Sequence, residues 1–401
     1  MRILYLTNGF PYPLTSGYLR HYHFIKNLSQ KHQITLLSIT GKNFTADHAD
    51  VMSSMTESVH AFPSSNIRKS KGHKILGRIR SVSGHSPEDD AVLKMKTTAQ
   101  KLINEKHYDA IFLSGKKTFP AIENVKELPI IADMCDATSL RIRGRMRYTN
   151  PIYLPYLFLE YLIVRQVERK LIRKASHILF ASSRDLESIK LDIRVPVSII
   201  PNGIDLEFWR RSSNQRGKGN IVFSGGMDYP PNVDAALFLI EQVLPIVRQS
   251  HPDAQVWIVG RDPDPQLVKA GKKYDVHITG FVEDMRPYLE QATVFAAPLR
   301  FGAGIQNKIL EAMAMMIPVV ASHLAADGLR TEDGCFPPVQ IANNRDEFAS
   351  LICSQLDAGR SDTSPVQQNR QFVQEHFVWE TIGKKLEKII RTTIQPYKQG
   401  A

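Results

Sequence analysis

The stretch Gly304-Ile305-Gln306-Asn307-Lys308-Ile309-Leu310-Glu311 gathers residue types that together can hold a diphosphate. Glycine lets backbone come close to a ligand, because no Cβ stands in the way. Residues 309–316 are strong helix formers and Pro318 lies just past them, so a helix is expected to begin inside the segment. A helix start presents unpaired N–H groups and a partial positive charge, which suit phosphate. Lys308 adds a point charge, and Glu311, three residues on, projects from the same face. A carboxylate there would accept hydrogen bonds from both hydroxyls of a ribose, each worth about 1.5–3 kcal/mol. The same letters also describe a capped helix with a Lys308–Glu311 surface pair, since a glycine-rich turn before a helix is common.

Two more glycine-bearing strand ends lie in the same half of the chain. Gly225-Gly226 ends the strand expected over 220–224, where backbone would again face phosphate. Gly280-Phe281-Val282 follows another strand and would edge a nucleobase. Three such ends in one half point to one shared ligand. In the other half, Asp133 and Asp136 follow a strand expected over 129–132, so either would orient an acceptor hydroxyl or act as a base. The competing role for Asp136 is to cap a helix starting near 137–139. Asp262-Pro263-Asp264 has the letters of a metal-binding pair, but its flanking prolines favour a turn entering a helix, and no metal is expected. His21 and His23, two apart on a helical pattern, face different ways and read as packing or surface residues. There is no glycine-flanked serine elbow, no His-Glu-x-x-His and no Walker loop.

The elements that must position these residues form a repeated pattern. A strand over 2–7, a turn-rich loop over 8–17, a helix over 18–30 and a strand over 34–39 open the chain as a βαβ unit. Strands follow over 110–113, 129–132 and 177–180. The pattern restarts after Pro201-Asn202-Gly203, with strands over 220–224, 255–260, 276–278, 294–297 and 317–321 and a helix over 233–249. The expected fold is α/β, with two facing Rossmann-like domains over 1–200 and 201–375. A last segment over 376–401, helical over 379–394, would return to the first domain. Ligands of open parallel sheets bind outside the carboxyl ends of the strands, so two such sheets would share an interdomain cleft.

At 401 residues the chain suits about two domains. A net charge of +11 predicts attraction to anionic partners. Arg68, Lys69, Lys71, Lys74, Arg78 and Arg80 interleave with Ile67, Ile75, Leu76 and Ile79. Arg141, Arg143, Arg145 and Arg147 alternate, and Arg165, Arg169 and Arg173 form an i, i+4 stripe joined by Lys170 and Lys174. Basic amphipathic stretches suit an anionic membrane surface, although each cluster alone reads first as a solvated helix face. No nucleic-acid module accompanies the charge, so nucleic acid is not an expected partner. The longest apolar region, 152–164, is too short to span a bilayer and contains Pro155 and Glu160. Three cysteines at no metal or redox spacing, and no signal-peptide core at the N-terminus, give a cytoplasmic expectation, with peripheral membrane contact.

At Phe223-Ser224-Gly225-Gly226-Met227-Asp228-Tyr229, at Pro231-Asn232-Val233-Asp234-Ala235 and along 304–313 the chain resembles glycosyltransferase family 4, retaining enzymes of the GT-B fold. Ile199-Ile200-Pro201-Asn202-Gly203-Ile204-Asp205 is similar to the family's linker. More narrowly, the chain looks like sugar transferases of exopolysaccharide clusters. The resemblance implies a nucleotide-sugar donor, no obligatory metal or other cofactor, and a glycan or lipid-linked acceptor. It implies that Glu311 binds the donor ribose, that Gly304 and Ile305 offer backbone to the diphosphate or sugar, that Asn307 joins these contacts, and that Lys308 stabilises the leaving group. It also implies that Val282, beside Phe281, borders the base and that Gly17, after Pro13 and Ser16, approaches the donor phosphate from the first domain.

Three departures accompany it. Ala303 stands where the family often has the first of two glutamates. Met227 and Asn232 stand near an Arg and a Lys of the family, so Lys308, Arg300 or Arg261 would replace that charge. Cys135 falls about where many members have a histidine. Retention is ascribed in this family to front-face attack, with the diphosphate helping to take the acceptor proton. That leaves side chains mainly to position substrates and stabilise the leaving group. Two rival readings stay open: a nucleotide-sugar epimerase of the same fold, and a catalytically silent, membrane-associated assembly partner.

Overall fold

The computed structural model describes residues 1–14, 18–42, 44–64, 90–189, 192–212, 219–358 and 364–399. Gly17 and Ser16, and the basic cluster from Arg68 to Arg80, lie outside these residues. The chain forms two compact units. The first comprises Met1–Ala181, Leu186–Pro201 and Glu380–Ala401; the second comprises Ser182–Asp185 and Asn202–Trp379.

The first unit is built on seven parallel strands: β1 (Arg2–Thr7), β2 (Gln33–Thr40), β3 (Ser58–Pro63), β4 (Ala110–Ser114), β5 (Ile130–Cys135), β6 (His177–Phe180) and β7 (Val197–Ile199). Their order is β3-β2-β1-β4-β5-β6-β7. Ile3, Leu4, Tyr5 and Leu6 are all fully buried, because helices cover both faces of a parallel sheet and its central strands become unbroken apolar runs. Ile3 sits opposite Ile34 on one side and Ala110 on the other. The chain runs outward from β1 to β3 and then returns to the other side of β1. The junction of β1 and β4 is therefore the topological switch point, where the carboxyl ends open a crevice.

The second unit repeats the scheme with β8 (Asn220–Ser224), β9 (Gln255–Val259), β10 (His277–Ile278), β11 (Val294–Ala297), β12 (Val319–Ser322) and β13 (Gln340–Ala342). The order β10-β9-β8-β11-β12-β13 puts its switch point between β8 and β11. Two parallel α/β sheets are the expected fold class.

The helix expected over 233–249 is interrupted. Helix Pro230–Phe238 passes into a π turn, Leu239–Val243, and resumes as Leu244–Ser250. Pro245 is the cause: it has no N–H to give, and its ring would collide with the carbonyl four residues back, which the wider π turn relieves.

The C-terminal helix Trp379–Gln399 belongs to the first unit from Glu380 onward. Glu387 faces Lys31 and His32, Thr393 Oγ1 lies 3.0 Å from His177 Nδ1, and Tyr397 hydroxyl lies 2.9 Å from Ser176.

Candidate functional site

The second unit's switch point carries the densest set of functional groups. Gly225 and Gly226 leave β8 there. Gly260, at the end of β9, has φ near +150°, and a Cβ on it would sit 1.7 Å from the carbonyl oxygen of Gly225. No other residue type allows that approach of two backbones. The two loops are then joined rung by rung: Gly225 N–H donates to Val259 O at 3.0 Å and Met227 N–H to Arg261 O at 2.8 Å. Gly260 in turn bridges Gly280, the residue before Phe281 and Val282. Two of the three glycine-bearing strand ends expected to share a ligand, at Gly225-Gly226 and at Gly280, are therefore physically joined through Gly260.

Asn232, on the Pro230–Phe238 helix, ties this loop to Lys308. It is 5% exposed. Its Nδ2 donates to Gly226 O at 3.0 Å, and its Oδ1 accepts from Lys308 Nζ. The ammonium also lies 4.6 Å from the centre of the Phe223 ring. Lys308 is on the first turn of helix Asn307–Ala314, whose N-cap residue Gln306 gives no side-chain hydrogen bond. The Ile309 amide donates to Gln306 O at 3.0 Å, while among the described residues those of Asn307 and Lys308 have no partner and are left open to an anion.

Burial pulls the Lys308 ammonium down to about 7, with the nearby Glu311 carboxylate acting weakly the other way. Burial pushes Glu311 up to about 7, opposed by Lys308. Both keep part of their surface open to solvent. Each is thus charged at some cost, and each would gain from a ligand that stabilises its charge.

The loop leading into the helix is fixed from behind by Ser182–Asp185. Gly304, with φ near +74°, donates its N–H to Asp185 Oδ2 at 2.9 Å. Asp185 is 1% exposed and also accepts from Ser182 Oγ at 2.5 Å. Arg184 donates to Gly302 O at 3.0 Å and faces Asp327. Of the backbone that Gly304 was expected to offer to the diphosphate or sugar, the amide is engaged within the protein. That amide is already used, and Ile305 and the amides of the helix start remain for the ligand.

The other expected donor contacts are placed as follows. Arg300 is held by Asp234 through two hydrogen bonds, Nε to Oδ2 at 2.8 Å and Nη2 to Oδ1 at 2.5 Å, so its charge is already matched. Arg261 is exposed beside Asp262, next to the joined loops. Phe281 is exposed, and Val282 packs against the core. Asn307 Oδ1 accepts from Asn202 at 2.9 Å. Asp264 caps helix Pro265–Tyr274 through Gln266 N–H. Among the described residues no group of His, Cys, Asp and Glu could hold a metal ion.

The two aspartates of the first unit fare differently from expectation. Asp133 is 1% exposed and takes two hydrogen bonds from Arg20, at 2.8 and 3.2 Å. It is a buried counter-ion, shut off from any acceptor. Asp136 is partly exposed but sits among Lys116, at 3.6 Å, Arg141 and the Thr138 hydroxyl. It does not cap the following helix. Ala137 holds the N-cap position of Thr138–Met146, and the amide of Ser139 is met instead by buried Glu168.

Two residues of the site, Asp185 and Gly260, are not singled out by the sequence, and Asn232 is marked there only as a position lacking the family's charge. Asp185 carries one signal, a Ser-x-x-Asp spacing at a helix start, which reads as local capping. Gly260 carries none, and nothing in the sequence shows that Asn232 holds Lys308, since their partners come from other elements.

Residues 218–357, which contain this second-unit site except Ser182–Asp185 and Asn202, match the model of the family described as Glycosyl transferases group 1. Over 141 residues, 33% of this chain and 36% of the other, the sequence is 27% identical to an uncharacterized 44.6 kDa protein in the cps region of Klebsiella pneumoniae. Over 144 residues, 34% and 37% of the two chains, it is 32% identical to the phosphatidyl-myo-inositol mannosyltransferase of Mycobacterium tuberculosis. The matched stretch thus spans just over a third of each relative's length.

The fold as a whole is similar to HepE of Anabaena solved with UDP and glucose, with a TM-score of 0.67, 14% identity and coverage of 98% and 100% of the two chains. It is similar also to sucrose-phosphate synthase of Thermosynechococcus elongatus, with a TM-score of 0.71, 13% identity and coverage of 98% and 99%. By these matches the fold is GT-B, and residues 218–357 are similar to the group 1 glycosyltransferases.

Proposed function

We propose, from the match of residues 218–357 to the Glycosyl transferases group 1 model, that this chain is a retaining glycosyltransferase. It would move a sugar from a nucleoside-diphosphate sugar to a hydroxyl of a glycan or lipid-linked acceptor, in polysaccharide or glycolipid assembly. The observation that carries the reading is the switch point of the second sheet. There an uncapped helix start, a lysine held by Asn232 and a carboxylate one turn on meet three joined glycine loops. HepE, of similar fold and solved with UDP and glucose, supports it.

Each group has a task in this reaction. The amides at the start of Asn307–Ala314 and the Lys308 ammonium take up the charge that develops on the diphosphate as the glycosidic bond breaks. A dianionic leaving group beside Lys308 raises the ammonium's pKa from about 7, so the donor binds the protonated form. Glu311, as a carboxylate, accepts from the ribose hydroxyls. Phe281 and Val282 edge the base. The acceptor hydroxyl attacks from the face the diphosphate leaves, and a diphosphate oxygen receives its proton. No bound metal is required by this scheme.

The test is a panel of nucleoside-diphosphate sugars. A bound donor should raise the melting temperature by mass action. With the matching acceptor, nucleoside diphosphate should be released together with an α- or β-linked product of the donor's own anomeric configuration. Epimerised donor in the absence of any acceptor would replace this reading with that of an epimerase. No melting shift with any member of the panel would favour a silent assembly role.

A further inference from the structure

The first unit carries a helical hairpin that neither its core nor the site uses fully. Helix Thr138–Met146 leads through a short turn into helix Leu154–Lys174. The apolar run over 152–164 lies here, and much of it faces outward. Ile152 is 76% exposed, Tyr153 60%, Phe158 56% and Leu162 45%. Large apolar side chains bunched at one tip are unusual on a solvated helix face. Leu157, Leu171 and Ile172 point the other way and are buried, so the packing of the hairpin is already satisfied.

The exposed face has a direction. Pro155, Phe158 and Leu162 follow each other at helical spacing, and the same line continues through Arg165 and Arg169 to Arg173. Apolar at the tip, it becomes basic toward the far end. On the preceding helix Arg143, Arg145 and Arg147 are exposed beside the tip. None of these three, nor Arg169 or Arg173, has an acidic partner among the described residues. Between the helices Met146, Arg147, Pro151, Leu154, Pro155 and Phe158 line an open apolar groove of about 600 Å³.

We propose that this hairpin docks the protein on an anionic lipid surface. Ile152, Tyr153, Phe158 and Leu162 enter the boundary between headgroups and acyl chains, and the arginines lie against lipid phosphate. Charge complementarity selects this occupant. A two-fold contact with a second copy would set the same arginines against each other, and nucleic acid gives the apolar tip nothing to bury. The depth needed is small, since interfacial helices sink only roughly 5–10 Å. Among the described residues no helix is long and apolar enough to cross a membrane, so the contact is one of surface docking. The proposal rests on the hairpin alone and stands or falls apart from sugar transfer.

Co-sedimentation with vesicles tests it. The protein should bind vesicles of equimolar phosphatidylcholine and phosphatidylglycerol and bind phosphatidylcholine vesicles far more weakly. Each of Arg145→Gln, Arg147→Gln and Arg169→Gln should weaken binding about fivefold. Phe158→Ser with Leu162→Ser should weaken it at least tenfold, from lost apolar burial. A gain-of-signal variant guards against misfolding: Phe158→Trp should shift its emission to the blue on anionic vesicles alone. Equal binding to both vesicle types, or an unmoved Phe158→Trp emission, overturns the proposal. So does a vesicle-free dimer that the same apolar substitutions dissociate, which would assign the face to a second copy.

Discussion

The two switch points of this molecule are built on one topology and treat charge in opposite ways. At the first, between β1 and β4, polar groups satisfy each other. Tyr5 hydroxyl and Ser114 Oγ flank the two ring nitrogens of His21 at 2.9 and 2.5 Å, and Arg20 grips Asp133. All five are buried. At the second, between β8 and β11, Lys308 and Glu311 have no ion-pair partner among the described residues, and burial drives both toward neutrality. A switch point whose charges are already matched is structure. One whose charges are held at a cost is arranged for a ligand that matches them.

The strongest way to break that contrast is to remove one member from each side. Arg20→Ala leaves Asp133 as an unpaired buried charge and should lower unfolding free energy by about 3–5 kcal/mol, read by urea denaturation. Lys308→Met removes a cation that burial disfavours, so it should leave stability unchanged or raise it. If both substitutions destabilise alike, the second switch point is structural too.

The next effect separates the two sites by pH. Burial lowers His21 to about 4, outweighing the pull of Asp133. The unfolded chain takes up this proton near pH 6.5, and the folded protein does so only near 4. The neutral ring's stability is therefore complete above 6.5 and lost as pH falls through that window, at about 1.4 kcal/mol per pH unit. Denaturation midpoints of the parent and of His21→Gln should converge as the pH drops from 7 to 4. Parallel curves would mean that His21 already carries its proton in the fold.

In the second unit the pH effect falls on binding. Lys308→Met should weaken nucleoside diphosphate binding by about 1.5–3 kcal/mol, roughly ten- to a hundredfold or more, by calorimetry. In the parent, Glu311 ionises over the same range and opposes this effect, so the profile is read in a Glu311→Gln background, where affinity should decline as pH rises through 7 and Lys308 loses its proton. Lys308→Arg in that background keeps its charge throughout and should flatten the decline. A Glu311→Gln profile with no inflection near 7 would remove Lys308 from the phosphate.

The same contrast explains what the sequence disclosed. Central strands such as β1, β8 and β11 are short runs of apolar residues and read plainly. Three of the four edge strands did not: Ser58–Pro63, Val197–Ile199 and Gln340–Ala342 are short or mix polar and apolar letters, because an edge carries less burial. In the site, Lys308 and Glu311 were legible because their relation is local, three residues along one helix. Asn232 reaches Lys308 across 76 residues and Asp185 reaches Gly304 across 119, so no spacing announces either contact. Asp133 misled for the same reason. Its place at a strand end could be read, but the arrival of Arg20 from 113 residues away could not.

The smallest effect tests how the unmatched lysine is aimed. Asn232 holds Lys308 with Oδ1 and Gly226 O with Nδ2. Asn232→Ala removes both bonds but leaves the charge. Nucleoside diphosphate affinity should then fall by only about 0.5–1.5 kcal/mol, the ordinary value of a hydrogen bond. Asn232→Asp is more telling, because it gives Lys308 the counter-ion that the first switch point gives Arg20. The free protein should become more stable as the pair forms, and the ammonium's pKa should rise. The new carboxylate would also repel the diphosphate, so affinity should drop below that of Asn232→Ala. Stability and binding moving in opposite directions would convert the second switch point into a copy of the first. If Asn232→Asp binds nucleoside diphosphate as well as the parent does, then Asn232 does not face the ligand and Lys308 is positioned by other groups.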